Sequence, residues 1–392
     1  MIQLSLTVIA LWLGLLLATP AAAKPRYSCE KDFPLREVQL ARAEVMALLR
    51  ARKFTELEAA LSARLQRYDA GDISDQELKR VYDGFGVSDA ALTPLIDEWQ
   101  SLWPNSYSAP LAMGLHLTAA AFDRRGRRWA SETSAQQMDE FVNTMARARE
   151  EMRTSVARHP RPIVSYVALI TASMATQSWP ETSALLDRAN AVDPRNVSAR
   201  KAAAFALQPK WQGSMQILDR FADEQLASGL TPQGWRSVRH EVLLAIAGDL
   251  ALKNNHAEAI ERYLEAQPLC TGTAAFARAG QSYFALKRHA DAVTQYSLAL
   301  ERGPNNADVL RRRGMNYEAL GQAGEAVVDL RRSATLGDSG AANELGRIYR
   351  QGKIVEKDLT QAALWYRKAA AKGHLQAAAA LRELETSAAP AN

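Results

Sequence analysis

The chain has 392 residues, 47% of them hydrophobic and 23% charged, with about 70 alanines and a formal charge of +5 from 48 basic and 43 acidic side chains. This composition excludes a disordered or collagen-like chain, no internal run is apolar enough to span a bilayer, and so mild a positive tilt does not by itself call for a nucleic-acid partner. The length exceeds what one compact core serves, and with the alanine surplus it favours a repeat array that adds length without thickness.

Residues 1–23 carry no charged side chain, run apolar from Leu4 to Ala18 and close on Pro20 and three alanines, the pattern of a cleavable secretory signal. The apolar run is shorter than the roughly 20 residues a spanning helix needs, which favours cleavage after Ala23 over an uncleaved anchor. The mature chain is therefore expected in the periplasm or secreted, with no transmembrane helix left. Export puts the two cysteines, Cys29 and Cys270, in an oxidising compartment. Either they are bridged, closing a loop worth about 5 kcal/mol in the chain-entropy picture, or they are two separate buried thiols, and the sequence leaves both readings open.

From Leu35 to Leu384 apolar residues recur at helical spacing between Pro, Gly and Asn breaks, without a convincing strand alternation. In 24–237 the organisation is diffuse: Pro160 and Pro194 lie 34 residues apart, and Pro104 precedes Gly114 by ten, as Pro304 precedes Gly314. It sharpens in 238–340, where Gly280 and Gly314, Tyr283 and Tyr317, and Ala292 and Ala326 each recur at 34. In 341–386 the pattern becomes Ala341-Ala342-x-x-Leu345-Gly346-x-x-Tyr349-x-x-Gly352-Lys353-Ile354-Val355, followed by Ala363-x-Trp365-Tyr366, and 387–392 reads as a flexible tail.

These phases carry a resemblance. With Phe276, Gly280, Tyr283, Ala292, Tyr296, Ala299 and Pro304 in one register, Thr273 to Asn306 is similar to a tetratricopeptide repeat, and Ala307 to Gly340 to a degenerate copy of it. Residues 341–386 resemble a Sel-like repeat, with Ile354 at a loop position where that family has Gly and where a β-branched residue resists a left-handed turn. The phrases Trp103-Pro104-x-Ser106-Tyr107-x-Ala109, Arg125-Gly126-x-x-Trp129 and Pro209-Lys210-Trp211-x-Gly213-Ser214 resemble the bacterial family catalogued as domain of unknown function 4034, over about Leu35 to Ala227. That family implies no activity. The implied fold is all-α, a right-handed superhelical solenoid of antiparallel helix pairs.

The repeat resemblance also implies a binding face, the concave groove lined by the first helix of each unit. Carried over position by position, it gives Ala277, Gln281 and Phe284, then Asp308, Arg311, Met315 and Glu318, then Asn343, Arg347 and Arg350, a floor that turns basic toward the C-terminus. An extended, somewhat acidic peptide or protein segment is the expected occupant, with Arg311 and Arg347 giving charge-assisted contacts and Phe284 an apolar anchor.

Other candidates have plainer readings. Gly337-Asp338-Ser339-Gly340 spells a serine-protease motif but joins two helical units, with Ser339 as an expected N-cap. His256 and His289 share a phase as openers of second helices, which repetition explains better than a metal. The acidic stretch Asp69 to Glu77 reads as a turn with helix capping, and no cofactor is expected. The basic loop 124–128 offers the main alternative function, binding of an anionic envelope polymer; an envelope hydrolase is the weakest, and would need a strongly perturbed acid or base in an N-terminal pocket. The leading expectation is a noncatalytic interaction scaffold of the bacterial cell envelope with a protein or peptide partner and no nucleic acid. The oligomeric state is not legible.

Overall fold

The computed structural model describes residues 35–126, 133–175, 178–209, 211 and 213–388, and among them the regular elements are all helices. The signal segment, Cys29, Arg127, Arg128, Lys210 and Gln212 lie outside the described residues. Four helices open the chain: α1 (Leu35–Arg50), α2 (Phe54–Ala70), α3 (Asp75–Tyr82) and α4 (Leu92–Leu102). Hairpins follow, pairing α5 (Ser108–Arg125) with α6 (Ala135–Ala157), α7 (Ile163–Ala172) with α8 (Trp179–Val192), and α9 (Ser198–Ala206) with α10 (Met215–Ala227). The array continues through α11 (Pro232–Leu252) and α12 (His256–Ala266), α13 (Ala274–Ala285) and α14 (His289–Arg302), and α15 (Ala307–Ala319) and α16 (Ala323–Thr335). It ends with α17 (Ser339–Gln351), α18 (Leu359–Ala370) and the single helix α19 (Leu375–Ala388).

The helix starts are written locally. Ser74 and Glu77 form a reciprocal capping box on α3, as Ser134 and Gln137 do on α6. Asn306, Asp338 and Asp358 each accept a backbone N–H in the first turn of α15, α17 and α18. Asp338 therefore takes the capping role expected of Ser339, which is the first helical residue instead; the carboxylate adds favourable interaction with the helix dipole. In the Sel-like loop Gly352 alone adopts φ 64°, while Ile354 keeps ordinary backbone and packs on the terminal core. The left-handed turn thus does not depend on position 354.

Four hairpins close on a glycine without room for a side chain. A Cβ on Gly280 would sit 2.8 Å from the Tyr296 ring, on Gly314 2.9 Å from Leu330, and on Gly346 2.6 Å from the Tyr366 ring. Gly114 stands in the same relation to Met152 at 2.7 Å, so the hairpin geometry extends back to α5 and α6. The bulky partner lies directly over the glycine, where a side chain on both sides would force the helices apart.

The core is continuous from Ala41 to Ile246 and then breaks into three smaller clusters. Its hub is α7, in which Ile163, Val164, Val167, Ala168, Leu169 and Ile170 are all buried and only Tyr166 and Thr171 stay partly exposed, the near-continuous apolar surface of a helix packed on most sides. The opening helices depart from hairpin stacking: α1 packs on α2, α3 and α4, while α3 reaches across to α7 and α9. The boundary expected between 237 and 238 falls within α11, whose Val238, Val242 and Ile246 belong to the large core and whose Leu243, Leu244 and Ala247 belong to the next. At the other end α19 runs to Ala388, into the segment expected as tail.

Candidate functional site

First helices of neighbouring units approach one another: α5 meets α7, α7 meets α9, α9 meets α11, α13 meets α15 and α17 meets α19, whereas the second helices stay farther apart. The layer of first helices is therefore the inner one. In α13, α15 and α17 the inner-face positions lie one and four residues after the crossing glycine and three and six before it. Ala247, fully buried and as far before Tyr263 as Gly280 is before Tyr296, is the crossing residue of α11. Its inner positions are then Glu241, Leu244, Gly248 and Ala251. In α9, Ala204 follows Pro194 as Gly314 follows Pro304, which makes Ser198, Lys201, Phe205 and Gln208 inner positions.

The structure brings these side chains together. A cleft of about 540 Å³ is lined by Glu241, Leu244, Gly248, Ala251, Phe205 and Gln208, with Gln281 continuing it into α13. Gly248 gives the floor its depth, since a Cβ there would meet nothing nearer than an Arg278 guanidinium nitrogen at 3.9 Å. Phe205 and Leu252 stand 41% and 77% exposed at the rim. Arg278 hydrogen-bonds the Tyr263 hydroxyl, whose pKa burial raises above the phenol value. The buried His256 Nδ1 has no hydrogen-bond partner among the described residues. None of these groups is among the groove residues expected from sequence except Gln281; the signal that could have found α11 was the Tyr263 and Ala266 spacing, counted back to Ala247.

Toward the C-terminus the groove is already occupied by its own charges. Gln281 and Phe284 are exposed, the latter edge-on to His289 at 5.7 Å. Arg311 pairs with Asp308 at 2.5 Å and Asp338 at 3.2 Å, and its Nη1 lies 3.7 Å from the Met315 sulfur. Arg347 pairs with Glu318 at 2.5 Å and Glu344 at 2.8 Å, and Arg350 with Glu383 at 3.0 Å. Burial works against the Arg347 charge, but the two carboxylates outweigh it and hold its pKa above the ordinary value. Asn343 is half-buried on the same face of α17. The expected basic end is thus neutralised from within: Arg311 and Arg347 each meet one carboxylate on their own helix and one from a neighbouring unit, and Arg350 meets Glu383 on α19.

The remaining candidates resolve into architecture. Asp75, 4% exposed at the start of α3, accepts the N–H of Val197 at 3.1 Å and of Ser198 at 2.7 Å and so caps α9 from a distant part of the chain. Burial pushes its carboxyl above the usual range against the lowering effect of those bonds. Tyr68 donates to Asp193 at 3.1 Å in the same cleft of about 480 Å³, and its phenol is raised by burial. This is the N-terminal pocket in which a hydrolase reading would look for its acid; of the five carboxylates lining it, Asp75 and Asp193 are held in structural hydrogen bonds to backbone N–H groups and Tyr68. Ser106 accepts the N–H of Ser108 and Ala109, while Tyr107 is 7% exposed. Of the basic loop, Arg125 lies 5.6 Å from the Phe141 ring and 5.5 Å from the Trp211 ring. His289 bonds Asn316, and among the described residues no cluster of three His, Cys, Asp or Glu could hold a metal. Cys270 is buried and is not a free thiol.

Comparison with family models matches the Sel1 repeat at residues 339–374 and Domain of unknown function (DUF4034) at residues 41–181. The second match stops before Pro209 to Ser214, short of the extent expected from sequence. A comparison with curated proteins finds no match. Among solved structures, the C-terminal part of a TPR repeat-containing protein from Cytophaga hutchinsonii is 15% identical, covering 62% of this chain and 98% of that one, with a TM-score of 0.42. PilF of Pseudomonas aeruginosa is 19% identical over 61% of this chain and 99% of its own, TM-score 0.39. The human IFIT1 dimer with m7Gppp-AAAA is 14% identical over 88% and 81%, TM-score 0.41.

Proposed function

We propose that the chain is a noncatalytic interaction scaffold that holds an extended segment of a protein partner along the inner face of its first helices. The observation that carries this reading is the cleft at α9, α11 and α13, in which repeat-equivalent positions converge on one open, half-apolar floor. Small residues at Gly248 and Ala251 leave backbone-deep space, and the rim side chains Phe205 and Leu252 supply apolar anchors that a bound segment would cover. Residues 1–23 support action outside the cytoplasm, in the bacterial envelope or beyond it. N-terminal sequencing of the exported protein is expected to begin at Lys24; retention of residues 1–23 would overturn that placement.

Photo-crosslinking side chains placed singly at Leu252, Gln281 and Phe284, with Val328 and Leu364 on second helices as controls, test the scaffold reading in cells. Adducts of one partner from the inner positions and none from the controls are expected. Adducts from Val328 or Leu364 alone would sink it.

A further inference from the structure

The chain itself accounts for nearly all the charge in the open cleft. Glu241 faces Lys201 at 3.8 Å and Asp249 is held by Lys253 at 2.8 Å, so neither carboxylate is left to recognise a partner. Both lysines come from the margins. Lys253 follows the last residue of α11, and Lys201 reaches in from a second cleft of about 500 Å³, which shares Phe205 and has α7 and α9 as one wall and α1 and α3 as the other. Arg278 remains. It is exposed, lines the open cleft and has no ion-pair partner among the described residues; its hydrogen bond is to the neutral Tyr263 hydroxyl. Three cations thus meet two carboxylates, and the unmatched charge is the Arg278 guanidinium.

The surrounding residues fix where that charge is offered. Arg278 lies two residues before the crossing glycine of α13, beside the inner positions and not among them, so counting along the repeat passes it over. Tyr263, buried in α12, holds the guanidinium, and one of its nitrogens comes to 3.9 Å from where a Cβ on Gly248 would stand. Because position 248 is glycine, it places no side chain of its own over that nitrogen. Gln281, exposed and one turn farther along α13, adds an amide donor in the same cleft. Apolar surface flanks both groups: Leu244 in the floor, with Phe205 and Leu252 at the rim.

We propose that the cleft recognises a single carboxylate, a Glu or Asp side chain of the bound segment, on Arg278 and Gln281, with apolar side chains of the same segment covering Phe205 and Leu252. The proposal rests on the scaffold reading and names the chemistry of its partner. The charge-assisted contact expected from sequence at Arg311 and Arg347 thereby moves to Arg278, the cation that the cleft does not neutralise. Apolar walls strengthen a guanidinium–carboxylate hydrogen bond relative to one in open water. A second or third negative charge gains nothing, because Glu241 and Asp249 line the same cleft. A nucleic-acid strand is disfavoured on the same ground, since its successive phosphates call for a run of free cations.

The test is fluorescence anisotropy on the full chain with labelled peptides of about ten residues, roughly 33 Å long when extended. Each carries a central Glu between two leucines in a Gly-Ser background, with the leucines set at varied distances from the Glu. Control peptides replace that Glu by Gln, by Lys or by a run of Glu. In the best register the Glu peptide is expected to bind about tenfold more tightly than its Gln isostere, and the Glu run no more tightly than the single Glu. Arg278→Gln is expected to abolish the Glu-over-Gln ratio and leave the Gln peptide's affinity unchanged, whereas a merely structural role would weaken both peptides alike. Arg278→Glu is expected to transfer the preference to the Lys peptide. Arg278 is exposed, so neither variant removes a core side chain, and Arg278→Lys, which keeps the charge, is expected to retain part of the ratio. Leu252→Ser is expected to weaken the Glu and Gln peptides by the same factor. Equal binding of both in every register, no peptide binding, a Glu preference that survives Arg278→Gln, or tighter binding of a ten-nucleotide single-stranded RNA would overturn the proposal. If inner-face crosslinks persist while the Glu preference is missing, the scaffold reading stands and the carboxylate assignment falls.

Discussion

Single residues set the close approaches of this fold. Gly280 and Gly346 have Tyr rings 2.8 and 2.6 Å from where a Cβ would stand, so alanine at either must push an aromatic ring off its seat. Each substitution is expected to lower unfolding stability by about 1–3 kcal/mol in urea titrations. Gly324→Ala, where a Cβ meets nothing within 4 Å, is expected instead to raise it by about 0.4–1 kcal/mol. Equal effects at all three would refute the steric account. Asp75 is a second residue-scale test. Asp75→Ala orphans two N–H groups at the start of α9 and is expected to lower stability by about 1–3 kcal/mol, while Asp75→Asn retains an acceptor oxygen and loses less. Because burial raises the folded pKa, Asp75's protonated form favours the folded state: its contribution is full below the ordinary 3.8 and is lost as pH rises through the raised value. Melting curves across that window should show this pH dependence in the parent and not in Asp75→Asn.

Helices and their junctions decide which part of the inner face is open. Counting from the glycines of α13 and α15 made the groove positions there legible, and the family phase extended them to α17. Which of those side chains remain available was not legible, since Arg311 and Arg347 are neutralised by partners that include Asp338 and Glu318, contributed by neighbouring units. Arg347→Gln is expected to loosen the α15 and α17 contact by about 0.5–1 kcal/mol in low salt and by less in high salt, the signature of a partly exposed pair. An undiminished effect in high salt would mean packing and not charge. The α9 and α11 positions were within reach of the same counting through Pro194 and Tyr263. Variable loop lengths hid the register, and no pattern in the sequence announces that α1 and α3 fold over to wall the second cleft.

At the scale of the whole molecule, the separate cores predict separable stability. Gly346→Ala perturbs the cluster around Leu345, Trp365 and Tyr366, so amide exchange should rise through α17 to α19 while α5 to α7 keep their protection. Uniform loss along the chain would contradict the repeat-array account. A bridge from Cys270 to Cys29 would tie the segment preceding α1 to the turn after α12. Faster migration on a non-reducing gel is expected, and free thiols at both positions in exported protein would exclude it.

The sequence by itself determined the helical class, the hairpin period and the crossing glycines, because helix caps, apolar spacing and small-residue contacts are local or recur at a constant interval. Only the tertiary structure decided the central place of α7 in the core, the Asp75 cap on α9 across the fold, and the pairing between units that neutralises Arg311 and Arg347 on the inner face. Those features join groups distant in sequence whose separation obeys no period, and charge is neutral or free only by virtue of what lies opposite it.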